Sequence, residues 1–105
     1  MTLKLAIALA LIGSNFIGAS AMANVDLAKK NACLSCHHTE KKLVGPAFKD
    51  VAKKYASIPD AASQLAASIK KGGGGKWGPV PMPPPTSLSE ADAKKLATWI
   101  LEGSQ

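Results

Sequence analysis

The sequence predicts an all-α domain of about four short helices joined by long irregular connections. Apolar residues recur at helical spacing in four separate segments beyond residue 24. No segment shows the period-two alternation of a half-buried strand. Between residues 72 and 85 glycines and prolines follow one another so closely that neither a helix nor a central strand can form there.

The 105 residues leave room for one domain, and the first 23 read as a leader to it. Lys4 gives a short basic start, Leu5 to Ile12 form an unbroken apolar run, and Phe16 and Ile17 add a second. Ala21-Met22-Ala23 then supplies a small-x-small cleavage site. This is the layout of a secretory signal peptide cut after Ala23. A membrane anchor fits less well, because Gly13, Ser14 and Asn15 interrupt the apolar run well short of the ~20 residues needed to span. The expected mature chain is residues 24–105, located in the periplasm.

Within it, Val25 to Ala32 is the first expected helix, with Val25, Ala28 and Ala32 on one face. Phe48, Val51, Ala52 and Tyr55 recur at i, i+3, i+4 and i+7, which gives a second helix of about two turns. Asp60 is placed to cap a third, whose apolar face is Ala62, Leu65, Ala66 and Ile69. Gly72 ends that helix where a left-handed residue is wanted. Gly72 to Gly75 read as a flexible run, and Trp77 to Pro85 as irregular chain. The last helix begins at Ser89, with Asp92 three residues on in capping position and Ala93, Leu96, Ala97 and Ile100 as its buried stripe.

These helices supply few large apolar side chains for a chain near the lower limit of a self-sufficient core. Long loops in so small a domain must pack against something. A large, flat, apolar cofactor at the centre answers both needs. A disulfide between the two cysteines, Cys33 and Cys36, would close too short a loop to constrain much of the chain. A redox-active dithiol would want a βαβ context, which is absent.

Every basic residue is a lysine, and beyond the leader twelve lysines face seven carboxylates, a net charge of +5. Export makes nucleic acid an improbable partner, and the lysine pairs are spread along the chain rather than gathered in one arm. Most of them read as a solvated surface.

Cys33-Leu34-Ser35-Cys36-His37 is the C-x-x-C-H sequence of covalent haem attachment. Two thiols three positions apart can reach both haem vinyl groups, and the imidazole that follows is then held against the iron as the proximal ligand. A zinc site would need more ligands than the one remaining histidine, His38, can add. His38 adjoins His37, so it cannot reach the opposite haem face and reads as a surface residue. Of the three methionines, Met1 and Met22 lie in the leader, which leaves Met82 as the second axial ligand. Met82 belongs to no apolar periodicity and sits within Pro79-Val80-Pro81-Met82-Pro83-Pro84-Pro85, where prolines reduce the entropy lost on ordering the loop. His/Met ligation fills both axial positions, which suits electron transfer rather than oxygen chemistry.

With these residues in view, the chain resembles class I cytochromes c, closely the small bacterial c-551 (c8) type, over essentially all of residues 24–105. Besides the attachment motif, the segments that carry the likeness are Val44-Gly45-Pro46-Ala47-Phe48-Lys49-Asp50-Val51-Ala52, Trp77-Gly78-Pro79-Val80-Pro81-Met82-Pro83-Pro84 and Leu96-Ala97-Thr98-Trp99-Ile100-Leu101. The resemblance implies a small class I cytochrome c fold, about four short helices wrapped around one covalently bound haem c. It further implies that the Pro46 carbonyl accepts from the His37 Nδ1–H, that Trp77 donates to a haem propionate, and that Trp99 packs in the core against the first helix. Two positions depart from the family pattern. Ser68 stands where an arginine often approaches a propionate, with Lys70, Lys71 or Lys76 as substitutes that lack its planar fork. The methionine loop reads Pro85-Thr86-Ser87, one residue longer, so Thr86 takes the place of an asparagine expected to bond the Met82 sulfur.

The function these features imply is that of a monomeric single-haem electron carrier shuttling between respiratory redox proteins, which it meets in transient encounters, without stable membrane insertion. Neither paired carboxylates nor an activated nucleophile mark it as an enzyme. A haem-based ligand sensor or peroxidase would need a labile Met82, and a dedicated subunit of a larger complex would need a permanent docking partner.

Overall fold

A computed structural model describes residues 17–105 of the chain. The expected leader up to residue 16 lies outside the described residues. The elements are α1 (Ile17–Lys30), a single 3₁₀ turn (Cys33–Ser35), α2 (Phe48–Tyr55), α3 (Ala61–Lys71) and α4 (Glu90–Leu101). Among the described residues there is no strand, only isolated bridges at His37–Lys42 and Gly73–Met82. No helix among them is long and apolar enough to cross a membrane.

Helix α4 is the hub, packing against α1, α2 and α3. Its expected stripe of Ala93, Leu96, Ala97 and Ile100 is buried, and Trp99 joins it. Leu96 is 2% exposed, and burying a side chain of that size contributes about 1.5–3 kcal/mol. The Ser89 side chain accepts from the Asp92 amide at 3.1 Å, the expected cap. From α2 come Phe48, Val51 and Tyr55, with Ala52 half-buried, and from α3 Leu65, Ala66 and Ile69, with Ala62 half-buried. Leu88, just before α4, also enters the core, although no periodicity marks it.

Three local expectations need correction. Helix α1 ends at Lys30, before Ala32, and Ala32 is exposed with φ +59°. The Asn31 side-chain amide bonds back to the Leu27 carbonyl at 2.9 Å, which closes the helix early. At the other end α1 reaches back to Ile17, continuous through the Ala23–Asn24 bond. Asp60 occupies the N-cap position of α3, but its φ of +57° puts it in the left-handed region and its side chain makes no capping bond. Finally, the run from Gly72 to Gly75 is tied rather than free, because Gly73 and Met82 exchange both backbone hydrogen bonds, at 2.9 and 2.8 Å.

Candidate functional site

The attachment motif is one helical turn, of the tight 3₁₀ kind rather than α. Ala32 in the left-handed region redirects the chain out of α1, and Cys33 to Ser35 make one 3₁₀ turn that delivers Cys36 and His37. The His37 amide donates to the Cys33 carbonyl at 2.9 Å. Cys33 and Cys36 are not joined in a disulfide, and both are half-buried. Burial pushes the Cys33 thiol up, against a smaller opposing effect of its backbone hydrogen bond.

The His37 ring is fixed on three sides. Its Nδ1 lies 2.8 Å from the Pro46 carbonyl, which can only accept, so Nδ1 carries the proton and Nε2 is left as a free lone-pair donor. The ring stacks on Phe48 with centroids 5.1 Å apart and 17° between planes. Gly45 closes the third side so tightly that a Cβ there would lie 2.5 Å from Cε1 and 2.8 Å from Nδ1 of the imidazole. Phe48 in turn meets Trp99 edge-on at 5.6 Å. Trp99 thus contacts α2 through Phe48, while α1 and α4 pack together and place Ala28 in the same core. Its indole N–H donates to the Gln105 carbonyl at 3.2 Å.

Met82 sits at the opposite end of the Gly73–Met82 pair, half-buried and packed against the core. Gly72 makes that approach possible. Its φ is +64°, and a Cβ on it would lie 2.5 Å from the Met82 carbonyl oxygen and 2.8 Å from the Pro84 nitrogen. The loop between them is exposed, and lysines hold it to α2. Lys54 Nζ lies 4.4 Å from the Trp77 ring centroid and donates to the Lys76 carbonyl at 3.4 Å. Lys76 Nζ donates to the Tyr55 hydroxyl at 3.0 Å, and that hydroxyl shares a 3.3 Å bond with Ser68. Of the three lysines named for the Ser68 neighbourhood, Lys76 is therefore the one tied to it, through Tyr55. Burial alone would push the Tyr55 phenol up. The hydrogen bonds from Lys76 and Ser68, with the Lys76 and Lys54 charges, outweigh it and hold the phenol below its ordinary range. Thr86 is exposed and forms no hydrogen bond to the Met82 sulfur among the described residues.

The structure thus arranges the predicted residues in two groups, Cys33, Cys36 and His37 on one turn and Met82 on a loop. Sequence reading missed the contacts that hold them, namely Gly45 on the imidazole, Gly73 opposite Met82 and Lys54 on Trp77. Gly45 and Gly72 were visible as glycines, but nothing in the sequence announces the pairing of Gly73 with Met82.

The donor set fits a covalent haem. It offers two free thiols on one turn, an imidazole with Nε2 available beside them, and a thioether within the fold. Leu43, Val44 and Val80 are large apolar side chains about half exposed, and Trp77 is 37% exposed.

Comparison with known proteins agrees. The cytochrome c family model matches residues 24–104. Cytochrome c-552 of Nitrosomonas europaea is 59% identical over 81 residues, covering 77% of this chain and 79% of that protein. Cytochrome c-551 of Allochromatium vinosum is 48% identical over 85 residues, covering 81% and 90% respectively. The crystal structure of wild-type Nitrosomonas europaea cytochrome c552 superposes with a TM-score of 0.73 at 58% identity, covering 75% of this chain and 98% of that one. The chain belongs to the cytochrome c family, as a small class I member that carries covalently bound haem c and transfers electrons.

Proposed function

We propose that this protein is a periplasmic, single-haem carrier with His37 and Met82 as the axial iron ligands and Cys33 and Cys36 as the thioether attachment points. The observation that carries this reading is the 2.8 Å contact between His37 Nδ1 and the Pro46 carbonyl. It fixes the tautomer, aims Nε2 as the ligating atom and raises its basicity. Haem c, once attached, supplies an iron that changes valence by one electron. The chain's own residues do the rest. Gly45, Pro46 and Phe48 hold the imidazole in one orientation. The Gly73–Met82 backbone pair and the flanking prolines hold the thioether-bearing residue in place. Leu43, Val44, Trp77 and Val80 offer exposed apolar side chains on a lysine-rich chain, suited to brief docking on respiratory partners of complementary charge.

Export is part of the proposal. Cleavage after Ala23 leaves Asn24 as the first residue and shortens α1 to its Asn24–Lys30 portion, which contains the buried Ala28. The carrier works as a monomer and catalyses no reaction of its own.

The test is the absorption spectrum of the exported protein, oxidised, reduced, and reduced with carbon monoxide. A sulfur-to-iron band in the oxidised state and no change with carbon monoxide are expected for a closed His37/Met82 pair. Rapid carbon monoxide binding would instead identify a ligand-binding or peroxidase-like haem protein. The intact mass reads out cleavage after Ala23 in the same sample.

A further inference from the structure

His38 is exposed, yet its ring is engaged. Nδ1 lies 2.9 Å from the Glu40 amide and 3.2 Å from the Lys41 amide. Both partners are N–H donors, so Nδ1 must be the unprotonated acceptor and the ring is the Nε2–H tautomer. The two amides belong to the tip of the turn that reverses the chain after the attachment motif. That reversal brings Lys42 opposite His37 and lets the Gly45 amide donate to the Cys36 carbonyl at 2.8 Å. Leu43 N–H donates to the Gly45 carbonyl at 3.1 Å, and the next residue, Pro46, presents its carbonyl to His37. The base of the turn has backbone bonds of its own, from the Phe48 amide to His38 and from Lys49 to Thr39. Nearer the tip, Thr39 is tied to Ser104 by two side-chain bonds of 3.1 and 3.4 Å, and the Lys49–Glu40 ion pair, 3.5 Å long and about half exposed, adds little. Among the described residues, the Glu40 and Lys41 amides themselves are taken up by the His38 side chain.

We propose that His38 is a positioning residue, whose Nδ1 caps the Glu40–Lys41 turn and so fixes the segment that offers the Pro46 carbonyl to the His37 imidazole. The chain of contacts runs from one histidine ring to the next through the backbone of residues 40–46, without direct contact between the rings. Loosening the turn weakens the hydrogen bond on His37 Nδ1–H and makes the imidazole a poorer donor to iron. The reduced state then gains relative to the oxidised one.

The inference rests on the His37 ligation proposed above, and the experiment keeps the two apart. The exported holoprotein is compared with H38A, which removes the acceptor, and H38N, whose side-chain oxygen can accept from the same turn amides. Two quantities are measured: hydrogen exchange at the His37 ring N–H in the reduced protein by NMR, and the reduction potential. In H38A the ring proton is expected to exchange about fivefold faster, the factor corresponding to loss of one side-chain cap, and the potential to shift upward. H38N returns both to the parent values. Unchanged exchange in H38A overturns the inference. So does an H38N protein that behaves like H38A, or faster exchange with an unmoved potential. If the parent protein shows no His37 N–H displaced by the haem ring current, the ligation itself fails. A displaced resonance with unaltered exchange refutes only the part given to His38.

Discussion

The two sides of the site are held by different means. On the His37 side the side chain itself is gripped, by a carbonyl at 2.8 Å, a stacked Phe48 ring and the bare face of Gly45. On the Met82 side the backbone is gripped, by two hydrogen bonds to Gly73 and by prolines. The side chain there is half-buried at the root of an exposed loop. Buried packing is hard to loosen without disturbing the core, whereas an exposed loop opens locally at low cost. The His37 side is therefore part of the fold, and the Met82 side is docked onto it.

The largest effects should separate the two sides outright. H37A is expected to accumulate little or no holoprotein. M82A should still acquire covalent haem and bind carbon monoxide when reduced. Haem staining with the carbon monoxide difference spectrum checks both, and a carbon monoxide-binding H37A with a silent M82A would invert the comparison.

Next come the two glycines. G72V puts a β-branched side chain at φ +64° and against the Met82 carbonyl, which should cost about 3 kcal/mol from strain and overpacking together. Carbon monoxide access should appear in that variant while the His37 N–H stays unperturbed. G45V should do the converse, displacing His37 at about 2 kcal/mol. Denaturant midpoints and the NMR resonance of His37 distinguish them. A control outside both sides is S89A, which removes the cap of α4 and should cost about 1 kcal/mol with neither axial readout changed.

The smallest effect sharpens the comparison rather than breaking it. K54M removes the ammonium over Trp77 and should cost about 0.5 kcal/mol, read as faster amide exchange at Gly73 and Met82. K76M removes the bond to Tyr55, and the phenol should then ionise at higher pH, followed by its phenolate absorbance. In the parent protein the folded phenol ionises at lower pH than the unfolded one. Its ionisation therefore contributes nothing below the folded value, and adds stability as pH climbs from there through the unfolded value. K76M should shrink that alkaline increment.

The helices and the chemistry were legible in the residues for a physical reason. Helical periodicity and caps are local, and so is a C-x-x-C-H motif, so Val51, Leu65, Leu96, Ser89 and His37 announce themselves within a few positions. Contacts between distant segments are not local. Nothing near Gly73 says that it pairs with Met82, and nothing near Lys54 says that its ammonium covers Trp77. Ala32 misled in another way. An alanine after an apolar stretch reads as more helix, yet the bond from Asn31 to Leu27 ends α1 and turns Ala32 into the left-handed region. His38 reads as surface, which it is, but its Nδ1 becomes a turn cap only once the chain reverses at Glu40.

One contact joins segments far apart in the chain. The Ser104 hydroxyl donates to the Thr39 hydroxyl at 3.1 Å, and Thr39 donates to the Ser104 carbonyl at 3.4 Å. Ser104 is itself buried at φ +52°, just beyond α4. Because a chain is synthesised N-terminal part first, Cys33 to His37 appear well before Ser104, whose bonds tie down the turn beside them. The turn that follows the attachment motif therefore gains its last side-chain ties only once the far end of the chain has been made.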